Sequence, residues 1–164
     1  MMTSLRLLLL GLWLGAALLF SAVVAPGAFA VLRGYGLQNA TEVAGALVNR
    51  TLSVVNVSGF IVSVVLIATA FLIRRGNSRA FALELAALAI VAIATSAGHW
   101  VIAARMRGLR ASLTVPMDQV PLNDPTRIAF STLHGYSVTA LSVAMIAALV
   151  AFALIAYRAR LNAS

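Results

Sequence analysis

Four long apolar stretches, at about 7–32, 51–73, 80–104 and 128–157, are separated by short polar breaks along the chain. A helix needs about 20 mostly apolar residues to cross a hydrocarbon core of about 30 Å. Inside that core no water is available, so a crossing segment must satisfy its own backbone N–H and C=O groups, which a helix does. Each stretch is therefore predicted to be a transmembrane helix. Together they take up most of the chain and leave no segment able to bury a separate core. The expected fold is an all-α integral membrane four-helix bundle, with residues 1–164 forming a single domain.

The breaks between the stretches carry local signals. Pro26, in Val24-Ala25-Pro26-Gly27, lacks a backbone donor and is expected to bend or end the first helix. Asn39-Ala40-Thr41-Glu42 reads as a capping box, starting an amphipathic helix at about 40–50 that can continue into the second span. Arg74-Arg75-Gly76-Asn77 is a tight turn, which makes the second and third spans antiparallel neighbours. Between Arg105 and Arg127, the prolines Pro116, Pro121 and Pro125 prevent long regular structure. In the first span Gly11 and Gly15 have the small-xxx-small spacing that lets another helix approach, so helix packing is expected there.

Charge changes the picture little. Only 10% of residues are charged against 62% apolar, and the net charge is +8. All twelve basic residues are arginines beside helix ends. They fit lipid headgroup contact and orientation better than nucleic acid, so the expected partner is the bilayer, with a homo-oligomer or another membrane protein as a further partner. Cysteine is absent, which removes disulfides and thiolate chemistry. The first apolar run ends in Ala28-Phe29-Ala30 but is longer than a signal-peptide core, and it is expected to stay as a span. Four spans put both termini on one side, with six arginines on each side of the membrane. The N-terminal amine and three arginines crowding the short second connection favour cytoplasmic termini in a bacterial inner membrane.

Polar residues within the apolar spans are the candidates for chemistry, because facing them to lipid is costly. Glu84 reads as an interfacial acid near the start of its helix, and Asn56 as an interhelical hydrogen-bonding group. Arg127, Ser131 and His134 follow i, i+4, i+7 spacing and share one face, with Ser137 continuing it. This predicts a polar seam entering the bundle from the long loop. His99 and His134 lie at similar depth below the same boundary and can meet, but two imidazoles alone make a thin metal site. No paired carboxylates, phosphate loop or nucleophile triad accompanies them.

With these residues in hand, the chain resembles the transmembrane-protein-205-like family of four-helix membrane domains of unknown function. The likeness rests on Leu12-Trp13-Leu14-Gly15, Phe20, Val24-Ala25-Pro26 and Phe29 in the first span, then on Val43-Ala44-Gly45 and Arg50. It is closest in Asp124-Pro125-x-Arg127-x-x-Phe130-x-x-Leu133-His134-Gly135-x-Ser137. His99 has no counterpart in that pattern, and Ser131 stands where the family has Gly. The resemblance implies a fold but no activity. The leading expectation is a non-enzymatic binding or accessory protein without a cofactor, using the seam of Arg127, Ser131, His134 and Ser137. Two alternatives stay open: a metal- or haem-binding protein using His99 and His134, and a small-solute transporter acting as an oligomer.

Overall fold

A computed structural model describes residues 2–36, 39–73 and 78–161. Helices α1 (Met2–Gly34), α2 (Ala40–Leu72), α3 (Arg79–Ala111) and α4 (Pro125–Arg160) are each long and apolar enough to cross a membrane. The protein is an all-α membrane four-helix bundle, as the apolar runs predict. Each helix extends beyond its apolar run. The 33 residues of α2 make about 50 Å of helix at the ~1.5 Å rise, more than the hydrocarbon core requires.

Each helix packs on its neighbours in chain order, and α4 closes the ring on α1. The α3–α4 interface is the most extensive. α4 buries a stripe of Ala144, Ala147, Ala148 and Ala151, whose small side chains let neighbouring backbones come close. From α1 the core receives Leu10, Trp13, Ala17 and Phe20, spaced by three or four residues as one helical face requires. The Trp13 indole N–H donates to the Val55 carbonyl at 2.9 Å. Its ring packs against Gly59, where a Cβ would stand 2.6 Å from the indole.

Gly15 does not take part in helix packing, contrary to the expectation from its spacing. It is exposed, and a Cβ there would meet nothing within 4 Å. At about 100° per residue it lies roughly opposite the stripe that Trp13 and Ala17 bury, so the bulky Trp13 sets the contact face. Gly11 does face another helix, with the Phe152 ring of α4 at 3.6 Å from its Cβ position.

Pro26 does not end α1 either. A π-helical turn at Phe20–Val24 comes just before it, closed by the Ala25 N–H on the Phe20 carbonyl. Widening this turn relieves the clash between the proline ring and the preceding carbonyls, and the helix continues to Gly34. The amphipathic piece does run unbroken into the second span as α2. Its capping box is not formed. Asn39 makes no side-chain cap bond, because its backbone (φ −114°, ψ 24°) lies outside the extended region that swings an N-cap side chain over the first turn. Its carbonyl instead accepts from the Glu42 and Val43 N–H groups at 3.1 and 3.0 Å. The expected turn at Arg74-Arg75-Gly76-Asn77 lies outside the described residues.

The proline-rich loop folds into two tight turns, closed by Gln119 N–H to Pro116 O at 3.0 Å and Asp124 N–H to Pro121 O at 3.1 Å. Val120, between them, is buried. The Asp124 carboxylate then caps α4 by accepting from the Thr126 N–H at 2.7 Å, with Pro125 opening the helix where its missing donor costs nothing.

Candidate functional site

At the loop end of the bundle the structure holds a cavity of about 470 Å³. All four α4 residues of the seam, Arg127, Ser131, His134 and Ser137, line it. They are joined lower on the same face by Leu141 and Met145. A single helical periodicity therefore supplies one wall that is polar near the loop and apolar towards the bundle centre. The π turn of α1 contributes Phe20 and Ser21, and α2 contributes Glu42, Gly45 and Leu52. The end of α3 adds Arg107 and Arg110, and the loop adds Met117 and Asp118.

Arg127 holds the loop over this cavity. Its guanidinium donates to the Asp118 carbonyl at 3.1 Å and also to the Val120 carbonyl. Arg110 is placed differently. Its guanidinium lies over the Phe130 ring at 5.1 Å from the centroid, and against Gly45, where a Cβ would stand 2.7 Å from Nη2. Only glycine leaves room for the cation there. Among the described residues, no hydrogen bond or ion pair reaches the Arg110 guanidinium.

The two histidines have different surroundings. His134 lines the cavity, and His99 is not among the lining residues. His99 sits in a second π-helical stretch, Ala97–Ile102, and its Nδ1 lies 3.1 Å from the Ser53 hydroxyl of α2. Beside it Asn56 is buried against Gly98, whose missing side chain leaves Nδ2 3.0 Å from the Cβ position. The two imidazoles share a depth along their helices, but the extra residue of the π turn changes the helical phase of α3, and His99 is hydrogen-bonded to Ser53 of α2. Among the described residues, no group of three or more His, Asp or Glu side chains could hold a metal ion.

At the opposite end lies a charged cluster that sequence reasoning missed. Glu84 is fully buried rather than interfacial. Its Oε1 accepts from Arg6 Nη2 at 2.7 Å, and its Oε2 accepts from Arg158 Nη1. Arg6 Nη2 also donates to the Leu66 carbonyl at 2.9 Å, so the cluster ties α1, α2, α3 and α4 together. The Arg158 guanidinium also covers the Phe81 ring at 5.1 Å. A signal for it does exist in the sequence. Arg6 is one helical turn before Leu10 and two before Trp13, Glu84 one turn before Ala87 and Leu88, and Arg158 one turn after Ile155, so each continues a buried stripe.

A family described as a domain of unknown function (DUF4149) matches residues 8–113, well over half of the chain. The match covers most of α1 and all of α2 and α3, and ends before the Arg127–Ser137 seam. No curated protein matches the chain. No solved structure matches it either.

Proposed function

The chain belongs to the DUF4149 family, a domain of unknown function, and from that premise we propose that it is a non-enzymatic membrane binding protein of the transmembrane-protein-205-like kind. Its binding site is the loop-side cavity. The observation that carries this reading is the cavity itself. At about 470 Å³ it lies within the range of small-molecule sites, and it joins a few convergent polar groups to an apolar interior. The seam residues supply donors and acceptors for a ligand head, while Phe20, Leu52 and Leu141 supply the apolar wall. His134 is an exposed residue of the cavity lining, where its imidazole is available to a ligand head. We further place the protein in a bacterial inner membrane with cytoplasmic termini, so that the cavity opens on the outer side.

The reading is tested by mass spectrometry of protein released intact from mild detergent. Wild type is expected to retain a small molecule. Ser131→Trp, which fills the cavity from an exposed position, and His134→Ala are expected to lose it without loss of helical fold. Retention by Ser131→Trp equal to wild type would overturn the assignment of the cavity.

A further inference from the structure

We propose that the cavity takes a single-chain anionic amphiphile, with its head on the Arg110 guanidinium and its chain running down α4 towards Met145. This rests on the reading of the cavity as a ligand site and names the ligand class.

Arg110 is held in place without a counterion among the described residues. Phe130 and Gly45 hold its guanidinium in place from two sides, by a ring face and a bare backbone. Neither contact neutralises the cation. A guanidinium carries five N–H donors in a fixed fork that matches a carboxylate or phosphate, and here, among the described residues, none of them is used. Arg107, itself exposed, lies one turn away on the same helix and lines the same space. Two carboxylates, Glu42 and Asp118, also line it, but both are exposed and neither pairs with Arg110. Three arginines against two acids leave the lining with a formal charge of +1.

The cavity lining is also graded in polarity. On α4 the lining runs from Arg127 to Met145, about 27 Å at the ~1.5 Å rise. Every ionisable lining residue belongs to the loop-side half, and the far end is mostly apolar, with Phe20, Leu52, Leu141 and Met145 beside the hydroxyls of Ser21 and Ser142. A free inorganic anion would leave that apolar half wet. An uncharged chain would leave a partly buried guanidinium without a counterion. A molecule with an anionic head and one acyl chain meets both ends at once. A fatty acid and a lysophospholipid share this chemistry.

The test uses the full chain in phosphatidylcholine nanodiscs, with displacement of a fluorescent long-chain carboxylate. Competitors are palmitate, palmitoyl lysophosphatidylglycerol, hexadecanol and butyrate, at matched mole fraction for the three that partition. Palmitate or the lysolipid is expected to bind at least about tenfold better than hexadecanol, about 1.4 kcal/mol, and butyrate is expected not to compete. Preference between palmitate and the lysolipid identifies the source of the head. Arg110→Gln should remove the advantage of the anionic ligands and leave hexadecanol unchanged, which also shows that the variant is folded. Gly45→Ala should weaken the anionic ligands in the same direction by displacing the guanidinium. Arg160→Gln, at the other end of the bundle, should change nothing. Equal binding of palmitate and hexadecanol by wild type would overturn the anionic class while leaving the cavity a ligand site. Full palmitate preference in Arg110→Gln would overturn the role of Arg110. Failure of every competitor would overturn both readings.

Discussion

Replacing Glu84 by Gln removes the carboxylate that bridges two buried arginines, with little change in shape. In the wild type the carboxylate accepts from Arg6 at 2.7 Å and from Arg158, with Glu84 0% and Arg6 4% exposed. A Gln carbonyl can still accept from one guanidinium, but its NH₂ then points donor against donor at the other. At an effective dielectric near 20, a pair of charges about 4 Å apart is worth about 4 kcal/mol. Removing one partner of a buried ion pair costs about 3–5 kcal/mol, because the remaining charge has no compensation. We expect Glu84→Gln to fall in that range, a large part of the ~5–15 kcal/mol that typically holds a domain together. Arg158→Gln should cost less, since it leaves a neutral Arg6–Glu84 pair in place. The assay is reversible unfolding in mixed micelles with increasing SDS, followed by far-ultraviolet circular dichroism. A loss below about 1 kcal/mol for Glu84→Gln, or one no larger than for Arg158→Gln, would refute the reasoning.

Three further outcomes are expected. Gly59→Ala puts a methyl group 2.6 Å from the rigid, buried Trp13 indole and should cost about 1–3 kcal/mol by the same unfolding assay, whereas Gly15→Leu, facing open space, should stay within about 0.5 kcal/mol. An equal loss in both would place the helix contact on the wrong face of α1. Asp124→Ala removes the cap on the Thr126 N–H and should cost about 1 kcal/mol; no change in the unfolding midpoint would mean that solvent serves the helix start equally well. A fluorescent protein fused after the last residue should be bright and a phosphatase fusion silent if the termini are cytoplasmic, and the reverse pattern would invert the topology.

Some features depend on neighbouring residues alone, and these are readable along the chain. The four helices follow from runs of apolar residues, since a bilayer leaves the backbone no alternative to internal hydrogen bonds. The grouping of Arg127, Ser131, His134 and Ser137 on one wall follows from the 3.6-residue period, and all four do line one cavity. Loop-end prolines and Asp124 likewise act through adjacent backbone.

What depends on how one helix is rotated against another was decided only by the tertiary structure. Gly11-x-x-x-Gly15 has the spacing of a contact, but the Trp13 ring seated on Gly59 turns Gly15 outwards. His99 and His134 share a depth, but depth does not set azimuth, and the π turn at Ala97–Ile102 directs His99 to Ser53. Arg6, Glu84 and Arg158 are up to 152 positions apart (158 − 6) and meet because the antiparallel ring brings the start of α1, the start of α3 and the end of α4 to one level. For Arg110 too, the deciding contacts come from Gly45 on α2 and Phe130 on α4. A charge buried among three helices is stable only through partners that its own helix does not contain, so the sequence of that helix by itself cannot show them.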